Sequence, residues 1–196
     1  DVHKSFKEYF GAKANITKYQ KKTDYIFYAA GNKFSKKIAR RSRAQKVAVN
    51  PSSLNMSLAM PGEHNRKNAA MATAITAHMG VNPEIIFTVL KEYPGMPHRL
   101  RNVANIDGRD YYNDSASTNP QTTVAATAAF PGKAKVVIAG GYDKGLDYKP
   151  LKSALSKNDV RAIVLMGQNK SKIRKTIGKS TKNVYAESLE DAIKKA

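Results

Sequence analysis

KVVIAGGYDKGLDYKPLKSALSKNDVRAIVLMG, residues 135–167, decides the fold. Lys135 to Ala139 and Val160 to Met166 are short apolar runs of strand length, and Tyr148 to Lys157 between them reads as a helix. A further helix over Lys170 to Ile177, a strand over Asn183 to Ala186 and a helix from Leu189 continue the alternation. Strands that alternate with helices specify a parallel sheet wrapped on both faces, an α/β arrangement. In such sheets ligands sit beyond the carboxyl ends of the strands, which here means the glycine-rich Gly140-Gly141-Tyr142-Asp143-Lys144-Gly145. Glycines let the backbone approach a ligand, and Lys144 supplies a point charge for a carboxylate or phosphate.

Upstream, Asp107-Gly108 between Leu100–Ile106 and Arg109–Tyr112 predicts a hairpin. The loop Asn113 to Asn119 follows it and runs into a helix over Pro120 to Phe130. It offers Asp114, three hydroxyls and free helix N–H groups to an anionic or ribose-bearing ligand. Pro94-Gly95 marks a boundary between residues 1–94 and 95–196.

In the first part, a capping box of Ser5 and Glu8 starts a helix from Phe6 to Ile16, with Lys13 on the face of Phe6, Tyr9 and Phe10. A strand over Tyr25–Ala30, a basic helix over Lys33–Arg43 after Asn32, and a strand over Lys46–Val49 follow. After a polar, turn-rich stretch, a long helix runs from Asn65 to the Gly80 stop, and another starts at Asn82-Pro83-Glu84. Asn65 and Asn68, three apart on a first turn, can present both amides to one ligand such as a purine edge.

The 196 residues carry 34 Lys and Arg against 15 Asp and Glu, a net charge of +19. The excess lies in residues 1–60 and 131–196, while 61–130 are balanced. Such flanks suit an anionic metabolite, nucleic acid or an anionic surface. No aromatic residues interleave with the basic runs as in a nucleic-acid module, so none is expected as partner. The absence of cysteine excludes disulfides and thiolate metal sites. No apolar run approaches the roughly 18 residues of a membrane span.

Taken together, Gly62-x-His64-Asn65-x-x-Asn68, Gly95-x-Pro97-His98-Arg99-Leu100, Asn113-Asp114-Ser115-x-x-Thr118-Asn119-Pro120 and Gly140-Gly141-x-Asp143-Lys144-Gly145 occur in an order that resembles the Mur ligase family, MurD type. Tyr9-x-x-Ala12-Lys13-x-x-Ile16 is similar to the segment carrying that family's carbamylated lysine. The resemblance implies the distal part of a central ATPase domain over residues 1–94, then a Rossmann-like C-terminal domain over 95–196. The implied activity is ATP-dependent addition of D-glutamate to UDP-N-acetylmuramoyl-L-alanine, with ATP and Mg²⁺, by a cytoplasmic monomer in peptidoglycan synthesis. Asn65 and Asn68 then meet the adenine region, Arg99 and Asp114 hold the nucleotide, and Thr118 and Lys144 bind D-glutamate. Lys13, as a carbamate, stands near a second magnesium. A related ligase with another acceptor, including the folylpolyglutamate type, and a noncatalytic basic nucleic-acid module on the same framework are the alternatives.

Several departures accompany the resemblance. Residues 1–196 hold no G-x-x-G-K-[ST] phosphate loop. The family's metal histidine is expected upstream of Asp1 and its serine and phenylalanine segment beyond Ala196, so the chain reads as a piece that does not turn over ATP alone. Ala116 stands where the family carries lysine, and strand alternation places Arg101 on the face of Arg99 as a compensating cation.

Overall fold

The computed structural model describes residues 3–179 and 181–196, which form two compact units. One holds residues up to 59 and 64–93, the other 60–63 and 94–196.

In the first unit, helix α1 (Phe6–Ala14) starts at Ser5, whose hydroxyl accepts the Glu8 N–H at 3.2 Å. The expected reciprocal half of a capping box is not formed: the Glu8 carboxylate takes the Lys4 N–H at 2.8 Å, one residue further out. The helix gives way to a 3₁₀ turn at Asn15–Thr17. Strand β1 (Tyr25–Ala29) pairs in parallel with β2 (Gln45–Val49) through helix α2 (Lys33–Ala39), which Asn32 caps by accepting the N–H groups of Phe34 and Ser35. Helix α2 stops four residues before the expected Arg43. The buried Ser42 turns the chain by accepting the Ala44 N–H and donating to the Gln20 side chain, leaving no helical continuation.

Alternation along β1 divides its neighbours. Ile26 and Tyr28 pack with Ala39 and Ala44, whereas Phe27 joins Val49, Leu54, Ala69 and Ala70. The latter alanines lie in helix α3 (Glu63–His78), where their small side chains allow close approach to the sheet. Helix α3 begins two residues before the expected Asn65. Helix α4 (Pro83–Glu92) follows, capped by Asn82 through the Glu84 N–H.

The second unit opens with an antiparallel hairpin, β3 (Arg101–Ile106) against β4 (Arg109–Asn113). Asp107 and Gly108 both have positive φ, 50° and 73°, the geometry that matches the twist of hairpin strands. After helix α5 (Pro120–Ala128), strands β5 (Lys135–Gly141), β6 (Val160–Gly167) and β7 (Lys182–Tyr185) form a parallel sheet in that order, linked by helices α6 (Lys149–Lys157) and α7 (Lys170–Ile177) and followed by α8 (Leu189–Lys195). Ile163 and Leu165 of β6 face Leu151, Leu155, Ile173 and Ile177, while Val164 on the opposite face meets Ala192 of α8. Burial on both faces explains why β6 reads as a continuous apolar run rather than an alternating one.

Candidate functional site

In the second unit, two segments that the sequence separates are tied into one cradle. Residues 97–100 precede β3 and residues 113–119 start at the last residue of β4, so the hairpin register, Arg101 opposite Asn113, brings them side by side. The Asp114 carboxylate accepts the Leu100 N–H at 2.9 Å through Oδ1 and the Ser117 hydroxyl through Oδ2. The Ala116 N–H donates to the His98 carbonyl at 2.9 Å. His98 Nδ1 faces both Asn113 Nδ2 at 3.2 Å and the Ser115 hydroxyl at 3.1 Å. Which of these partners donates follows from the tautomer of the ring.

The turn is strained: His98 and Leu100 have φ of 64° and 47°, uncommon for residues with a β-carbon. Leu100 is 6% exposed, so its apolar side chain and the Asp114 bond together hold the conformation. Arg99 projects between these two anchored residues and is exposed. The expectation that Arg101 shares a strand face with Arg99 is overturned. Strand β3 begins at Arg101, and the left-handed Leu100 breaks the two-residue alternation on which that reading relied. At the end of the cradle, Thr118 is exposed beside Asn119, which caps α5 by accepting the Thr122 N–H at 3.0 Å.

The glycine-rich loop leaves the carboxyl end of β5. A β-carbon on Gly140 would lie 1.8 Å from the Met166 carbonyl oxygen, and one on Gly167 would lie 2.7 Å from the Gly141 nitrogen. Glycine at these positions lets the ends of β5 and β6 approach each other. Asp143 folds the loop back, accepting the Gly145 N–H at 2.9 Å and pairing with Lys172 at 3.2 Å. That backbone N–H first, and the Lys172 ammonium second, hold the Asp143 carboxyl below the usual carboxylate range. Lys144 is exposed, with no ion-pair partner among the described residues. Asn169 packs beneath the loop, donating its N–H to the Gly141 carbonyl at 3.2 Å and its side-chain amide to the Tyr148 hydroxyl at 2.9 Å.

In the first unit, the earlier start of α3 puts Asn65 and Asn68 third and sixth in the helix, still one turn apart on one side, with Asn65 half-buried and Asn68 exposed. Between them Arg66 turns the other way, donating to the carbonyls of Leu54 at 2.6 Å and Met56 at 3.1 Å and so fastening the preceding turn-rich segment to α3. Lys13 is exposed in the last turn of α1, its ammonium 5.5 Å from the Tyr9 ring centroid. Among the described residues there is no group of three or more His, Cys, Asp or Glu side chains able to hold a metal ion.

Sequence reasoning missed the clamp by His98, Asn113, Ser115 and Ser117. The only signal for His98 was its place beside Arg99 in Gly95-x-Pro97-His98-Arg99-Leu100.

No family model matches the chain. Among curated proteins it is similar to the UDP-N-acetylmuramoylalanine–D-glutamate ligase of Geobacillus kaustophilus, 33% identical over 216 residues that cover 98% of this chain and 48% of the relative. The enzyme of that description from Aquifex aeolicus is 31% identical, covering 100% of this chain and 50% of the relative. The chain thus spans about half the length of the curated relatives it matches. Among solved structures, MurF from Acinetobacter baumannii superposes with a TM-score of 0.74 at 18% identity, over 96% of this chain and 48% of that one. Folylpolyglutamate synthase of Mycobacterium tuberculosis complexed with ADP gives 0.73 at 16% identity, over 100% of this chain and 52% of that one. These likenesses show the α/β fold.

Proposed function

The chain belongs to the Mur ligase family, and on that premise we propose that it is the distal part of a MurD-type amide ligase, which adds D-glutamate to UDP-N-acetylmuramoyl-L-alanine in the cytoplasm. Residues 1–94 are the far part of its ATP-binding domain and residues 95–196 its Rossmann-like amino-acid domain. In this reaction the terminal phosphoryl group of ATP passes to the substrate carboxylate, releasing ADP and forming an acyl phosphate. The amine of D-glutamate attacks the acyl carbon, the C–O bond to phosphate breaks, and the amine proton leaves to solvent. Such chemistry depends on placement and charge neutralisation more than on covalent work by the protein.

The single observation that carries the reading is the cradle of residues 97–100 and 113–119, because it explains why an arginine and an aspartate sit in rigid, adjacent loops. Each Asp114 oxygen is used once by the protein and keeps a lone pair for a ribose hydroxyl. By holding the Leu100 N–H, Asp114 also holds the main chain that carries the exposed Arg99, whose planar guanidinium fork suits a phosphate. Thr118 and Lys144 bind the D-glutamate carboxylates, and the exposed ammonium of Lys144, which has no ion-pair partner among the described residues, suits that task. Asn65 and Asn68 meet the adenine. Lys13, carbamylated, adds an acidic group near the phosphates.

The test is a ligation assay on the protein in which these residues occur, with UDP-N-acetylmuramoyl-L-alanine, ATP and D-glutamate. Lys144→Ala raises the KM for D-glutamate about tenfold or more while leaving that for ATP within about twofold, as loss of one charged contact implies. An unchanged KM for D-glutamate removes Lys144 from the acceptor site.

A further inference from the structure

A concavity of about 600 Å³ lies in the first unit, lined by residues 17–22 together with Arg41 and Arg43. It belongs to the amino ends of β1 and β2: residues 17–22 lead into β1 at Tyr25, and 41–43 lead into β2 at Gln45. Those strands are parallel. The concavity is therefore at the end of the sheet opposite the carboxyl ends where ligands of α/β sheets bind, and is separate from every residue assigned above.

Five of its eight lining residues are cationic, Lys18, Lys21, Lys22, Arg41 and Arg43, and none is acidic. Across the chain only 34 of 196 residues are Lys or Arg, so the concentration exceeds what the net charge alone supplies. None of the five makes an ion pair among the described residues. The nearby carboxylate of Asp24 is turned to the Lys21 backbone N–H at 2.7 Å.

The walls are also built. The buried Ser42 donates to the Gln20 side-chain oxygen at 2.6 Å and accepts the Ala44 N–H at 2.9 Å, locking the two segments together. The Gln45 N–H ties to the Asp24 carbonyl at 2.9 Å. Arg41 rests against the Phe10 ring at 5.1 Å, which limits its swing. With its oxygen engaged by Ser42, Gln20 retains an amide NH₂ for a ligand. Convergent cations in a concavity focus the field and raise the local concentration of an anion.

We propose that this concavity is a second anion site that binds a compact polyphosphate, two or more linked phosphates either free or carried by a nucleotide. Two guanidinium forks and three ammonium groups match the several oxygens of such a chain. The volume is that of a small-molecule site, and Tyr19 is the only aromatic side chain in its wall. A nucleic-acid strand calls for a longer groove with successive stacking platforms, which this wall lacks.

Titration calorimetry of the chain with inorganic tripolyphosphate tests this, with ATP at equal concentration as a second arm. Saturable one-to-one binding is expected, weakened at least about tenfold by Lys22→Ala/Arg43→Ala, as loss of two charged contacts implies. The charge-matched control Lys152→Ala/Lys157→Ala, on exposed positions of α6, stays within about twofold. Equal weakening in both double variants reduces the effect to net charge and overturns the site. Amide shifts on the unaltered chain give a readout that needs no variant: tripolyphosphate must perturb residues 17–22 and 41–43, and shifts scattered over other lysines overturn the proposal. The ATP arm separates sources at residues 17–22 and 41–43: saturation there by ATP at a lower concentration than by tripolyphosphate makes the ligand nucleotide-borne, and the reverse order makes it a free polyphosphate. A single-stranded oligonucleotide that binds more tightly than tripolyphosphate and is lost with Lys22→Ala/Arg43→Ala makes the surface a nucleic-acid face and overturns the compact-ligand reading.

Discussion

Replacing Asp114 by alanine removes the clamp between the two loops of the second unit, and its magnitude follows from the contacts. The Leu100 N–H, 2.9 Å from Asp114 Oδ1, belongs to a residue that is almost wholly buried, so it loses a charge-assisted bond and finds little water in exchange. Such bonds contribute about 1.5–3 kcal/mol. The Ser117 hydroxyl is half-buried and can turn to solvent, adding little. Asp114→Ala should therefore destabilise the second unit by about 2–3 kcal/mol, or roughly 10–20 °C in Tm for a unit of this size. Asp114→Asn keeps an oxygen for Leu100 and loses only charge assistance, so about 1 kcal/mol is expected. Urea unfolding followed by circular dichroism should show a lowered midpoint with unchanged m, and exchange at the Leu100 and Ala116 amides should accelerate most. If Asp114→Ala stays within about 0.5 kcal/mol of the unaltered protein, the cradle is not held by this carboxylate and the reasoning fails.

Three further outcomes follow from other contacts. Gly140→Ala places a β-carbon 1.8 Å from the Met166 carbonyl and should destabilise by more than about 3 kcal/mol, whereas Gly141→Ala, with the same φ of 142° but open space, should do so by about 1–2 kcal/mol; comparable unfolding midpoints contradict the close approach. Arg66→Ala leaves the Leu54 and Met56 carbonyls without their charged donor and should speed hydrogen exchange in residues 54–58 before global stability changes, by about 2 kcal/mol in local opening energy; unchanged exchange there refutes it. Because the Asp143 carboxyl is held below its ordinary value, its loop contacts are fully present above about pH 4 and are lost as the pH falls through the lowered value. Carbon-detected titration should show the midpoint rise on Lys172→Ala, and a midpoint that does not move removes the ion pair from the cause.

The parts of the fold legible in the sequence are those written locally. The β6 run is apolar without alternation because both its faces are covered, Asp107-Gly108 supplies two positive φ values, and Asn32, Asn82 and Asn119 cap the helices they precede. What escaped is nonlocal. The bond from Leu100 to Asp114 spans 14 residues and that from Ser115 to His98 spans 17, and neither follows from the spacing of residue types. A left-handed leucine is invisible to propensity, and it is what spoiled the inference about Arg101. Helix α2 looked longer because basic residues continue past Ala39, while the Ser42 bonds that end it reach back to Gln20.

The most direct measurement of the central claim is acceptor-dependent ligation by the protein in which these residues occur, supplied with ATP and UDP-N-acetylmuramoyl-L-alanine and offered D-glutamate, L-glutamate, L-alanine or a diamino acid in parallel. The expected result is one amide product and one ADP per turnover with D-glutamate, at a kcat/KM at least about a hundredfold above the other acceptors, the discrimination that about 2.7 kcal/mol of differential contact supplies. Ligation that prefers another acceptor, or ATP turnover indifferent to D-glutamate, contradicts it.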